Sequence, residues 1–190
     1  MTKKNRWWLI AVYCLVALLV VLTIVACFVP VSKRPEIEDP HAYEIRLDNQ
    51  AFYQLCDVEN NKEKYDRVNA AFNAAFNESF LTSLFSGRLG YTNRIDSTSP
   101  SSTFSGYRLN LMYATEQPIM QNGKIYTQSA YSEDPIYYDE ITLEITQDAG
   151  MTTHYLFYIC EYEQNGVIRT RYYRQSFIAN FDELYELLSE

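Results

Sequence analysis

The sequence predicts an α+β domain that follows an N-terminal transmembrane helix. Three observations predict this class: an uncharged run from Trp7 to Val29, a helical apolar period over residues 62–86, and period-two alternation after residue 106. We expect an antiparallel sheet of about five strands, one long amphipathic helix and a short C-terminal helix, because short turns pair consecutive strands and the helices must cover one face.

The uncharged run is long enough to cross a bilayer. Its 23 residues would form a helix of about 34 Å, against a hydrocarbon core of about 30 Å. Trp7 and Trp8 stand at its start, where indole rings favour the headgroup region, and Pro30 follows it. Residues 7–29 are therefore predicted to anchor the chain, with the lipid bilayer as a partner.

The flanking cations predict the orientation of this anchor. The head, residues 1–6, contains three basic residues, whereas two, Lys33 and Arg34, follow the apolar run. The excess favours a single-pass protein of the cell membrane, with its head in the cytoplasm and its C-terminal domain outside.

A second interpretation concerns the end of the same run. The sequence Ile24-Val25-Ala26-Cys27 resembles the lipobox of bacterial lipoproteins. The resemblance implies cleavage before Cys27 and lipidation of its thiol. The 20 apolar residues before Cys27 exceed the 7–15 of an ordinary signal segment, so an uncleaved helix is favoured, with a lipoprotein and then a secreted protein as alternatives. In all three interpretations the domain is exported from the cytoplasm.

The rest of the chain divides into a spacer and one domain. Residues 30–42 contain three prolines and are predicted to be a stiff spacer, followed by the domain at residues 43–190. Residues 43–47 alternate as in a strand, and residues 49–58 fit either a helix or a strand. The helix predicted over residues 62–86 carries an apolar residue at every fourth position: Val68, Phe72, Phe76, Phe80 and Leu84.

The remaining segments are predicted from turns and alternation. Residues 87–106 are rich in Gly, Ser, Thr and Pro, which favours a mobile loop. A helix is predicted from Asn180, because Glu183 completes a capping box. Asn165-Gly166 is a strong hairpin signal. The predicted strands cover residues 107–113, 124–131, 141–145, 153–163 and 167–177.

The hairpin at Asn165-Gly166 supplies the candidate binding face. A two-residue turn pairs Tyr162 with Arg169, Cys160 with Arg171, and Tyr158 with Tyr173, all on one side of the sheet. Tyrosine and arginine together suit recognition of a carboxylate or a partner protein, although the favoured interpretation is a solvent-facing sheet that uses Tyr for its β-propensity and Arg against the many acidic residues. The other side is expected to be core and carries Phe157, Ile159, Ile168 and Tyr172.

The sequence gives only weak indications of catalytic, metal or disulfide chemistry. The sequence contains no HExxH, paired CxxC, GxSxG or phosphate-binding glycine loop, so we expect no metal and no cofactor. A hydrolase would have to use His154 or carboxylate pairs such as Asp139 with Glu140 and Glu161 with Glu163. Cys56 and Cys160 are the only thiols of the domain, and a disulfide between them is left open.

The net charge of the predicted exported part limits the classes of partner that it can bind. Residues 30–190 carry 13 basic and 24 acidic side chains, a net charge of −11, which argues against binding to nucleic acid. The sequence favours a non-enzymatic binding or assembly module of the cell envelope that contacts another envelope protein or a small ligand. A lipoprotein lipidated at Cys27, with a ligand-binding or hydrolytic role, is the alternative.

Overall fold

The structure, a computed structural model, describes residues 3–28, 34–47, 53–77, 94–101, 104–129, 132–148 and 151–190. The described helices are α1 (Lys3–Phe28), α2 (Lys62–Ala74) and α3 (Asp182–Leu188). The strands are β1 (Ala42–Leu47), β2 (Tyr53–Asp57), β3 (Arg94–Ser97), β4 (Tyr107–Pro118), β5 (Met120–Gln121), β6 (Lys124–Ile125), β7 (Thr127–Ser129), β8 (Ser132–Pro135), β9 (Tyr137–Asp148), β10 (Met151–Gln164) and β11 (Val167–Ser176).

The main sheet has seven strands in the order β2-β1-β4-β9-β10-β11-β3, and every described pair is antiparallel. The α+β class and the antiparallel sheet are confirmed, with more strands than the five predicted. The two additions are β2, in the undecided segment 49–58, and β3, inside the predicted loop 87–106. The predicted strand at residues 124–131 instead falls in two small hairpins, β5-β6 and β7-β8, outside the main sheet.

One face of the sheet, here the inner face, is covered by α2 and α3. Phe72 of α2 lies 6.0 Å from Phe181, and Phe76 lies 5.4 Å from Phe177, measured between ring centroids. The predicted helix 62–86 is too long, because α2 ends at Ala74, although its apolar stripe does pack in the core as far as Phe76. Residues 78–86 lie outside the described part of the chain. α3 begins at Asp182, whose backbone N–H donates to Asn180 Oδ1 at 3.0 Å.

The opposite, outer face is crossed by the segment that connects β3 to β4. Arg108 donates to the carbonyl of Ser101 at 2.9 Å, and its guanidinium lies 5.0 Å from the ring of Phe104. Gly106 passes so close to the sheet that a Cβ there would overlap the carbonyl oxygen of Ile145. The predicted mobile loop over residues 87–106 is thus wrong for residues 94–101 and 104–106, which pair with or lie against the sheet.

Residues 34–41, in the predicted spacer, also pack against the domain. Ile37 is buried, Tyr113 donates its hydroxyl to the carbonyl of Glu38 at 3.0 Å, and Glu36 accepts from the backbone N–H of Gly123. Hydrogen bonds to this segment hold it against the inner face. Only residues 29–33 therefore separate the end of α1 from chain that contacts the domain.

Candidate functional site

The last hairpin of the sheet projects beyond its neighbour. β9 pairs with β10 as far as Glu140 and Ile159, and then diverges beside β4. β10 and β11 remain paired up to the turn, so residues 160–171 form what we call the hairpin arm. At the turn, Asn165 and Gly166 have φ of 54° and 75°, as a type I′ turn requires, which confirms the predicted hairpin and its register.

Arg171 is held in place by two tyrosines of the arm. Its guanidinium carbon lies 4.7 Å from the ring centroid of Tyr162, and Nη1 donates to the Tyr173 hydroxyl at 3.4 Å. These contacts follow from the register, because Arg171 pairs with Cys160 and shares the inner face with Tyr162. Within the described part of the chain, no ion pair joins Arg171 to a carboxylate. Among the described residues, no carboxylate therefore competes with an incoming anionic group for this guanidinium.

A groove of about 440 Å³ lies between the hairpin arm and the start of β9. Its walls come from residues 160–164 of the arm, from Arg171 and Tyr173 on β11, from residues 135–137, and from Glu116 on β4. Tyr137 is 45% exposed at one wall. The groove thus combines one cation and aromatic rings with the carboxylates of Glu116, Glu161 and Glu163, so it can contact groups of both charges.

The thiol in this groove is chemically inert. Cys160 is 4% exposed, and burial, reinforced by the nearby charge of Asp139, raises the pKa of its thiol to about 12. A thiol attacks as thiolate, which is scarce at neutral pH when the pKa is that high. Cys160 therefore lines the groove as an apolar side chain.

A disulfide between Cys56 and Cys160 does not form, and both thiols are free. Cys56 lies on β2 and Cys160 on β10, four positions away in the strand order. Four spacings of about 4.8 Å, together with an offset along the strands, put the Cα atoms roughly 20 Å apart. A disulfide needs Cα atoms within about 7 Å, so the distance rules it out.

The predicted binding face is divided by the structure. Tyr158 is fully buried and Tyr173 nearly so, whereas Tyr162 and Arg171 are half-buried at the groove and Arg169 is exposed near the tip of the arm. The expected roles of the two sides were therefore inverted over the centre of the sheet. Tyr158 cannot contact a ligand, because its side chain lies in the core.

The side predicted to be core is the outer face of the sheet. Ile168 on it is 70% exposed, and Ile159 and Tyr172 are half-buried. Of the four residues predicted to be core on this side, only Phe157 is buried, beside the buried Thr142 of β9. Alternation defined the two sides correctly but did not identify which one the helices cover.

Three of the residues suggested for hydrolysis, His154, Asp139 and Glu140, do not come together. His154 lies 4.9 Å from Phe177 and 5.0 Å from Phe181 between ring centroids, and its Nε2 is 3.3 Å from the Phe177 carbonyl oxygen. It is six residues from Cys160 along β10, roughly 20 Å from the groove. Asp139 and Glu140 are consecutive in β9 and point to opposite faces. His154, Asp139 and Glu140 therefore do not form an acid–base pair, whereas Glu161 and Glu163, two positions apart on β10, share one face and both line the groove.

No group of three His, Cys, Asp or Glu side chains within the described residues is arranged to hold a metal ion. The polar cluster on the outer face is internally paired: Glu144 accepts from Arg108 at 2.9 Å, and Thr142 donates to Asn110 at 2.9 Å. This cluster stabilises the sheet rather than offering ligands.

The apolar helix α1 carries the predicted anchor. Residues Trp7–Val25 are long and apolar enough to cross a membrane, with mean hydropathy 2.9 and no side chain buried against the domain. Cys27 lies in the last turn of α1, but its side chain is outside the described part, so lipidation stays a prediction. Sidedness likewise stays a prediction.

Two walls of the groove were missed by sequence reasoning. Glu116 precedes the groove's β10 residues by more than forty positions, and residues 135–137 follow a short hairpin with no clear alternation. Only the register of β4, β9 and β10 brings these segments together, and a single sequence contains no signal for long-range register. A scan against protein-family models, a search of curated proteins and a search of solved structures each gave no match.

Proposed function

We propose that this chain is a membrane-anchored, extracytoplasmic binding module of the cell envelope, and that the groove beside the hairpin arm holds its ligand or partner protein without chemical conversion. The observation that supports this most strongly is the position of Arg171. Tyr162 and Tyr173 hold its guanidinium at the groove, and no described carboxylate neutralises it. An arginine oriented in this way suits a carboxylate group, which it can bind through two parallel hydrogen bonds.

The chain between the anchor and the domain supports binding close to the bilayer. Five residues, 29–33, lie between α1 and the packed segment that begins at Arg34. Fully extended, this connection spans about 20 Å. A partner in the same envelope would therefore meet the domain near the membrane surface. The position of His154 in an aromatic cluster favours binding over hydrolysis, because an acid–base histidine must reach a substrate.

The test of this function is capture from native membranes. Full-length protein would be cross-linked in intact cells, and the partners retained by the wild type compared with those retained by Arg171→Ala. We expect loss of at least nine tenths of the captured material, because truncation removes the carboxylate contact. Arg94→Ala is the matched control, since Arg94 is an exposed arginine on β3, away from the groove, paired with Asp96 at 2.8 Å.

Three outcomes decide this test. Loss with Arg171→Ala but not with Arg94→Ala supports the proposal, provided that circular dichroism shows both variants folded. Equal capture by all three proteins would refute it. In a fourth protein, His154→Gln, loss of the protein's activity in cells with partner capture intact would instead favour the hydrolytic alternative.

The intact mass of the membrane-extracted protein decides the form of the anchor. A mass near 22.2 kDa means that residues 7–29 are retained as a spanning helix. A chain that begins at Cys27 with added acyl groups means a lipoprotein. In either form the exported domain and its groove are unchanged.

A further inference from the structure

The groove occupies a position in the sheet that β9 has left. β9 is hydrogen-bonded beside β10 up to the pair Glu140 and Ile159, and residues 160–164 of β10 continue without a described neighbour on that side. Five residues at about 3.3 Å each give an open edge of about 16 Å. An open strand edge beside a groove is the geometry used by proteins that bind an extended segment as an added strand.

The register shows which backbone groups face this edge. In a two-residue hairpin the closing pair, Gln164 and Val167, is hydrogen-bonded, and hydrogen-bonded pairs then alternate with non-hydrogen-bonded ones. Tyr162 and Cys160 consequently direct their backbone groups toward β11. Glu161 and Glu163 direct theirs toward the groove, where no backbone hydrogen bond to another described residue satisfies them.

We infer that an extended segment of a partner protein pairs with β10 at Glu161 and Glu163 and so takes the place in the sheet that β9 vacates. This inference rests on the proposed function and specifies how the groove binds. Main-chain hydrogen bonds to these two residues hold the segment, and side chains on its two faces select it.

The side chains around the open edge define the class of segment. On the inner face the added strand lies beside Tyr162, with the guanidinium of Arg171 stacked over that ring, so an acidic side chain fits there. On the outer face it lies beside Glu161 and Glu163, which are exposed and fit basic side chains. The matching partner strand therefore has a basic–acidic–basic alternation.

The first experiment measures this charge pattern with two synthetic peptides. The probes are the acetylated, amidated peptides Thr-Lys-Glu-Lys-Val and Thr-Glu-Lys-Glu-Val, titrated into the full chain in detergent micelles by calorimetry. We expect the first to bind at least tenfold more tightly, because the second places like charges against Arg171 and the two glutamates. Equal affinity, or no binding of the first peptide at several millimolar, overturns the inference.

The second experiment isolates the backbone pairing. Glu161→Pro removes the N–H that faces the groove and leaves every hydrogen bond between β10 and β11, and proline is tolerated on such an edge. Glu161→Gln is the matched control, because it loses the same charge and keeps the N–H. We expect binding of the first peptide to fall at least tenfold further in Glu161→Pro than in Glu161→Gln, with the Glu163 amide protected from hydrogen exchange only in the complex.

The outcomes separate this inference from the proposed function. Equal binding by Glu161→Pro and Glu161→Gln, with a loss in Arg171→Ala, would leave the groove as a binding site and overturn strand addition. Protection of the Ile168 and Thr170 amides from hydrogen exchange, in place of the Glu163 amide, would show that the added strand pairs with β11. That result would also overturn the inference. No effect of Arg171→Ala on either the peptide or the native partner would refute both proposals.

Discussion

Replacement of Tyr158 tests the assignment of the inner face as core. Its side chain is fully buried, its ring centroid lies 4.9 Å from that of Tyr138, and its hydroxyl donates to Oε1 of Gln175, which is 1% exposed. Tyr158→Phe should lower the free energy of unfolding by about 1–3 kcal/mol, because the buried Gln175 oxygen loses this donor. Tyr158→Ala should lower it by about 4–8 kcal/mol, since loss of a buried aromatic ring costs about 3–5 kcal/mol in addition.

The matched control is Ile168→Ala on the outer face. Ile168 is 70% exposed, so its truncation should change the free energy of unfolding by less than about 0.5 kcal/mol. The assay is urea unfolding of the full chain in micelles, followed by near-ultraviolet circular dichroism of tyrosine, because both tryptophans, Trp7 and Trp8, lie in the anchor. A large loss for Ile168→Ala with a small one for Tyr158→Ala would refute the assignment.

Three further predictions follow from local geometry. Gly106→Ala should destabilise the domain by about 1–3 kcal/mol in the same urea-unfolding assay, because the new Cβ would overlap the carbonyl oxygen of Ile145. An unchanged urea midpoint of unfolding would contradict this close approach. Burial, and then nearby carboxylates, raise the pKa of Glu140, so its contribution to stability is greatest at acidic pH and is lost as the pH rises through the folded value. Glu140→Gln should therefore be more stable than the wild type at pH 7. The difference in the free energy of unfolding should disappear at a pH well below the ordinary pKa of glutamate, which urea titrations at pH 7 and at that lower pH would measure. Cys56 and Cys160 should react with maleimide only after unfolding, because burial raises the pKa of both thiols; a disulfide-linked peptide pair in a non-reducing digest would contradict their separation.

The strand positions were predictable because the signals are local. The Asn165-Gly166 turn required positive φ at both residues, and the register that it implied is the one observed. β3 was missed because its sequence, RIDS, holds a single apolar residue, Ile95. It becomes a strand by pairing with β11, an interaction that no local pattern encodes.

The identity of the core face was not predictable from β10 and β11 alone. Both faces of β10 carry buried apolar residues: Phe157 lies on the outer face, and Leu156 and Tyr158 lie on the inner face. Tyrosine suggested an exposed side, yet its hydroxyl can be satisfied in the core by a partner such as Gln175. The candidate site was therefore predicted in part: Tyr162 and Arg171 line the groove, and Tyr158 does not.

The most direct test of a binding groove at the membrane is photo-crosslinking from Tyr137. Replacement of this exposed groove residue with benzoylphenylalanine in the full-length chain, followed by irradiation of intact cells, reports what occupies the groove. We expect a discrete cross-linked partner, and we expect it to be lost when the probe at position 137 is combined with Arg171→Ala. The same probe in place of Leu55, on the far edge of the sheet, should give no such product. A product that persists in Arg171→Ala, or that forms equally from Leu55, would contradict the account.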